Sequence, residues 1–217
     1  MTLEKSAPCK VNFSLNILGK RVDVFHELET VMHPVNVCDR LSLERSGGGV
    51  QLTCNQPELP TDARNLVHRA ATAFLAEARM AEGVRLPLEK HLPLAAGLGG
   101  GSGNAATTLL GLNELFDRPL TGDQLQSLAA SLGSDVPFFL QSKPALATDR
   151  GETVEALEPF DCLRGAAILL VHPGFGIATA WAYRELARFP TALNGARGRA
   201  QKCIAALRTR DLVSAGK

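Results

Sequence analysis

Residues 92–106 read LPLAAGLGGGSGNAA and lead directly into the apolar run TTLLGLNELF at 107–116. Gly97, Gly99, Gly100, Gly101 and Gly103 fall within seven residues, separated only by Leu98 and Ser102. Without a Cβ, such a loop takes left-handed conformations and lets a ligand approach its backbone. Where it opens a helix, the free N–H groups and the positive end of the helix dipole converge on one anion site. The anion expected there is a nucleotide phosphate, with the helix running from about Gly103 to Phe116.

The rest of the chain sorts around this loop. Residues 7–18 alternate, with Val11, Phe13, Leu15 and Ile17 expected inside and Lys10, Asn12, Ser14 and Asn16 on the other face of a strand. A strand-like run at 28–37 is interrupted by Pro34. Residues 39–44 and 50–54 flank the turn Ser46-Gly47-Gly48-Gly49 and read as a β-hairpin. Helical spacing of Leu66, Val67, Ala70, Ala73, Phe74 and Ala78 marks a helix over 65–81, and 86–90 reads as a strand.

Beyond the loop, Thr121 and Gln124 form a capping-box signature for a helix ending at Gly133. Strands are expected at 154–157 and 166–171, and helices at 178–189, capped by Thr179, and at 198–208. Early strands followed by mixed helices and strands predict an α+β fold.

Composition narrows the function. The 217 residues carry 23 Lys and Arg against 22 Asp and Glu, with no basic tail, which argues against a nucleic-acid binder. The longest apolar run, GAAILLV at 165–171, is too short to span a bilayer, and charges at Glu4, Lys5 and Lys10 interrupt any signal-like N-terminus. Five scattered cysteines without C-x-x-C spacing suit reduced core thiols. A cytoplasmic protein without membrane or nucleic-acid partners is expected, as monomer or homodimer.

Two familiar nucleotide motifs fit the loop poorly. A Walker A loop requires Gly-Lys-Ser/Thr, and no lysine follows these glycines. Residues 101–106 match G-x-G-x-x-A formally, but the acidic-ended second strand of a dinucleotide fold is missing, since Asp123 begins a helix.

A third pattern fits throughout. Pro93, Ala96, Gly97, Leu98, Gly99, Gly100, Gly101, Ser102, Ala105 and Ala106 resemble the P-x-x-x-G-L-G-x-S-[S/G]-x-A-A motif of the GHMP kinases, residue by residue. Further segments resemble those members that phosphorylate a cytidine-diphosphate-linked polyol. These are APCKVNFSL at 7–15, RVDVFHELET at 21–30, the helix start Asn65-Leu66-Val67, GSDVPFF at 133–139, DRGE at 149–152, and Pro173-Gly174 followed by Thr179.

The resemblance implies a GHMP-kinase-like fold (ribosomal protein S5 domain 2-like), with a mixed or antiparallel sheet in an ATP-binding domain at 1–160. An incomplete C-terminal domain would begin at 161–217. It implies Lys10 and Asp135 as catalytic residues, with Asp135 the base. ATP would be held by Asn65, Pro93, Ala96, Gly97, Leu98, Gly99, Gly100, Gly101 and Ser102, with Mg2+ neutralising phosphate charge. Asn12, Phe25, His26 and Tyr183 would bind the small-molecule acceptor, Phe25 and Tyr183 sandwiching cytosine while His26 reads its edge. No metal-ligating residues are expected. A different GHMP kinase, for homoserine or a mevalonate derivative, or a non-catalytic nucleotide-binding fragment, remains open.

The chain departs from the pattern at Cys9 (usually Ala), Val24 (Gly), Gly103-Asn104 (Ser-Asp) and Asp149 (Gly). The family's acidic helix and second glycine-rich loop are also missing, so the chain reads as C-terminally truncated and is expected to be weakly active or inactive.

Overall fold

The computed structural model describes residues 2–23, 25–189 and 193–215. Six strands form, β1 (Thr2–Lys20), β2 (His26–Ser46), β3 (Val50–Cys54), β4 (Gly83–Glu89), β5 (Ala145–Asp149) and β6 (Thr153–Ala156). The helices are α1 (Leu66–Glu77), α2 (Gly100–Leu115), α3 (Gly122–Leu132), α4 (Thr179–Leu186), α5 (Arg199–Arg208) and the short α6 (Leu212–Ala215). The fold is α+β with a mixed sheet: β2 pairs antiparallel with β4 and β5, β5 antiparallel with β6, and β3 parallel with β4.

Contacts divide the chain into two units that interleave in sequence. The first holds residues 1–9, 35–92 and 99–141; the second holds 10–34, 93–98 and 142–217.

In the first unit the strand order is β3-β4-β2, which corrects the expected hairpin. β4 lies between the two strands that flank the glycine turn, with Leu41 opposite Leu88 and Leu52 opposite Leu86. The turn is wide enough to admit it, and Gly83 rests against the backbone of Gly48 and Gly49. The apolar stripe of α1 buries Val67, Ala70 and Phe74, with Phe74 stacked on Phe116 at 6.2 Å. Helix α3 starts as expected: Thr121 accepts from the N–H of Gln124, and the Gln124 carboxamide accepts from the N–H of Thr121.

In the second unit the first part of β2 pairs with β5, Thr30 opposite Ala147. Val31, Leu146, Leu157, Phe160, Ile204 and Leu207 form its core, with α5 laid over the strands. β2 runs unbroken through Pro34, joining what the sequence divides into two strands.

Three further expectations are corrected. The 166–171 run forms no strand: Leu169 and Val171 are 87% and 84% exposed, and no strand of the described residues pairs with them. Helix α4 has Ala178 at its N-cap without a side-chain cap, and Thr179 is already its first helical residue. On β1, Leu15 is 49% exposed while Lys10 and Asn16 are buried, because hydrogen bonds satisfy both polar groups where they sit.

Cys9 and Cys203 are buried free thiols, and burial pushes both above the usual thiol range. Among the described residues no helix is long and apolar enough to cross a membrane.

Candidate active site

The glycine loop begins its helix earlier than its sequence suggests. Gly99, with φ of 67°, is the N-cap of α2, and the N–H of Gly103 closes the first turn on the Gly99 carbonyl at 2.8 Å. Glycine's low helix propensity places the expected start at Gly103, yet Gly100, Gly101 and Ser102 are already helical. Their N–H groups are therefore the free donors of a 16-residue helix. Gly97, also left-handed at φ 73°, has nothing within 4 Å of where its Cβ would be. Free N–H groups at a helix N-terminus of this kind can receive a phosphate oxygen.

Gly103 explains one departure from the family pattern. A Cβ there would be driven into the carbonyl oxygen of Pro8, so the chain tolerates only glycine where serine is usual. Asp149 explains another. It holds φ of 62°, a conformation that suits glycine, and its carboxylate accepts from the Thr153 hydroxyl at 2.5 Å. Aspartate visits this region at modest cost. Cys9 packs fully buried, its thiol directed at the Val35 carbonyl at 3.8 Å. The expectation for Val24 falls outside the described residues.

Within the second unit, β1 carries Lys10 to the loop. The Lys10 N–H donates to the Leu98 carbonyl at 2.9 Å, and its ammonium donates to the Gly97 carbonyl at 2.8 Å. The same ammonium donates to Asn12 Oδ1 at 2.6 Å. Asn12 Nδ2 in turn donates to Thr30 Oγ1 at 2.7 Å, and that hydroxyl to the Ser14 carbonyl at 2.6 Å. This relay fixes the Asn12 amide and aims a buried cation at the loop backbone. Thr30 closes the motif at 21–30, but the sequence reading gave it no role in the site.

The aromatic residues of this unit also gather. His26 stacks on Tyr183 at 4.8 Å with the rings 24° apart. Phe25 lies under the Arg150 guanidinium, 4.9 Å from its ring centroid. Glu152 holds Arg150 by its side chain and its N–H, at 2.7 and 2.8 Å. Arg150 is a neighbour that the sequence reading missed, because only its place two residues before an acidic partner hints at a fixed guanidinium.

The first unit holds the remaining candidates. Asn65 is the N-cap of α1, accepting from the Val67 N–H at 2.9 Å and donating to the Pro60 carbonyl at 2.8 Å. Asp135 sits half-buried in the turn that the Val136 N–H closes on the Gly133 carbonyl at 3.1 Å. Among the described residues no group of three or more His, Cys, Asp or Glu lies where it could hold a metal ion.

Comparison with known proteins places this geometry. The model of the GHMP kinases N terminal domain matches residues 65–143. A 4-diphosphocytidyl-2-C-methyl-D-erythritol kinase of Synechococcus sp. (strain JA-3-3Ab) is 42% identical over 213 residues, covering 96% of this chain and 68% of the relative. The chain belongs to the GHMP kinase family. A second relative of the same name, from Synechococcus sp. (strain JA-2-3B'a(2-13)), is 48% identical over 179 residues, 82% of this chain. The chain spans 57% of that relative's length. The crystal structure of a 4-(cytidine 5'-diphospho)-2C-methyl-D-erythritol kinase superposes with a TM-score of 0.75 at 35% identity, covering 95% of this chain and 72% of the other. Homoserine kinase from Cytophaga hutchinsonii shares the GHMP kinase fold at 19% identity and a TM-score of 0.67.

Proposed function

We propose that this GHMP kinase transfers the γ-phosphate of ATP to the 2-hydroxyl of 4-diphosphocytidyl-2-C-methyl-D-erythritol, a step of isoprenoid precursor synthesis. The observation that carries the reading is the Lys10 ammonium, buried and fixed between Asn12 and the Gly97 carbonyl. Phosphoryl transfer to an alcohol requires cationic charge near the transferred group and a site for the acceptor's proton. Lys10 supplies the charge and polarises the acceptor hydroxyl. Asp135 takes the proton as the new O–P bond forms and ADP departs.

Gly97 to Ser102, with Pro93 and Ala96 shaping the loop, receive the phosphates on backbone N–H groups, and Asn65 lies on the nucleotide side. Ser102, in the first turn of α2, bonds a phosphate oxygen in this reading. Mg2+ bound with ATP neutralises phosphate charge. On the acceptor side Phe25 and Tyr183 hold the cytosine ring, His26 reads its edge and Asn12 orients the polyol. The names of the 42–48% identical relatives favour this acceptor over homoserine or mevalonate derivatives. We assign residues 1–160 to the ATP-binding domain and 161–217 to the second, and the unpaired thiols support a cytoplasmic setting.

The test is coupled ADP release with 4-diphosphocytidyl-2-C-methyl-D-erythritol, homoserine and mevalonate offered in turn. Whatever turnover the chain supports, however weak, is expected with the first alone, and CMP should compete with it. Preferential turnover of another alcohol, or indifference to CMP, would overturn the assignment.

A further inference from the structure

Beneath the first turn of α2 lies a buried charged cluster that the chemistry above does not use. Lys90 follows β4 immediately before the loop, and its side chain is 5% exposed. Its ammonium donates to the fully buried Asp39 carboxylate and, at 3.2 Å, to Asn104 Oδ1. The other Asp39 oxygen accepts from the N–H groups of His91 and Leu92 at 2.8 and 2.9 Å. One carboxylate thus holds both the Lys90 side chain and the two residues by which the chain leaves β4. On the far side of the loop, the ammonium lies 3.3 Å from where a Cβ on Gly100 would be.

Asn104 supplies a second, independent sign. Its Nδ2 is buried without a hydrogen-bond partner. Turning the amide over would satisfy nothing, since it would face two donors toward each other, –NH2 against the Lys90 ammonium. A buried orphan donor is destabilising, and one persists where geometry outranks stability. A buried ion pair is likewise a weak stabiliser, because apolar residues of the same volume commonly do as well.

We propose that Lys90 is a positioning residue for the phosphate loop, tying the β4 exit to the first turns of α2 so that the loop's two ends keep a fixed separation. The inference rests on the nucleotide reading above. A glycine loop has almost no side chains with which to hold its own shape, so its N–H groups stay aimed only if both ends are anchored from below. Asp39 neutralises the Lys90 charge, and the effect on phosphate is therefore one of geometry. Each charge-assisted hydrogen bond to phosphate lost by such misplacement weakens the site about tenfold to a hundredfold.

The experiment is calorimetric titration of the 217-residue protein with a non-hydrolysable β,γ-imido ATP analogue and Mg2+, alongside its ligand-free melting temperature. In the double variant K90M/D39N no buried charge is left unpaired, and the side-chain carbonyl of the introduced asparagine can still accept from His91 and Leu92. Its affinity is expected to fall about tenfold to a hundredfold, measured well below its melting temperature. Asn104→Ala removes the helix end of the tether together with the orphan donor, so it should fold and bind about tenfold more weakly. A cluster that served stability alone would shift melting and leave the affinity of the folded protein unchanged. Wild-type protein that takes up no analogue refutes the nucleotide reading and the tether with it. Wild type that binds, with Asn104→Ala binding equally well, refutes the tether alone.

Discussion

Glu29→Gln tests how the second unit is held together. The Glu29 carboxylate is buried and accepts from Asn16 Nδ2 at 2.9 Å and from the N–H groups of Gly198, Arg199 and Ala200 at 3.1, 2.7 and 3.1 Å. It caps α5 with full negative charge. Burial pushes its pKa up, but hydrogen bonds from Asn16, Gly198, Ala200 and Arg199 outweigh that, and the carboxyl ends below its ordinary value. Glutamine keeps the three bonds to Oε1 at neutral strength, turns an –NH2 toward the Gly198 N–H, and loses the charge–dipole attraction.

Charge-assisted bonds contribute about 1.5–3 kcal/mol against about 0.5–1.5 for neutral ones. The helix end adds up to about 2 kcal/mol. A net loss of about 2–4 kcal/mol is expected at pH 7, or roughly 5–15 °C in the melting transition of the 217-residue chain.

The pH dependence carries the sign. Because the folded pKa is lowered, the stabilisation is complete above the unfolded value of about 4.3 and is lost as pH falls through the folded one. The gap between wild type and Glu29→Gln, followed by circular dichroism melts, should be widest at pH 6–7 and close in acid below about pH 4. Equal melting at pH 7, or a gap that persists undiminished at pH 3, would refute the capping argument.

Two more outcomes follow from the geometry. Asp135→Asn removes the proposed base while keeping its shape, so kcat should fall about 10²–10⁴-fold with the KM for ATP little changed; unaltered kcat would exclude Asp135 as the base. Gly103→Ala sets a methyl against the Pro8 carbonyl and should destabilise the first unit by about 1–3 kcal/mol in urea titration; wild-type stability would mean that β1 shifts freely.

What the sequence made legible was local. The Thr121 capping box lies within one turn, and the helical spacing of α1 concerns residues three and four apart. The motif that contains the loop is contiguous, which is why the family could be read from it. What stayed hidden depended on partners far along the chain. β4 entering between β2 and β3 is a pairing choice that no turn signal encodes, since Ser46 to Gly49 suits a hairpin equally well. Asn16 looks like an outward residue of an alternating strand, and only Glu29 and the Ala196 carbonyl make its burial favourable. Of the site, the strand placing Lys10 and Asn12 on one face was readable, whereas the Lys90–Asp39 pair joins residues 51 apart and leaves no local trace. Arg150 over Phe25 is of the same kind.

The uncovered run at 165–171 has a consequence for the protein in solution. Gly-Ala-Ala-Ile-Leu-Leu-Val contains no charge and no proline, and Arg164 is the permanent charge beside it. An uncovered segment of this composition is a template for intermolecular β-pairing. Arg164 at its edge is ion-paired with Asp161 at 3.1 Å, so little net charge stands beside the run. Concentration-dependent self-association through this run is therefore expected, and light scattering over a dilution series measures it.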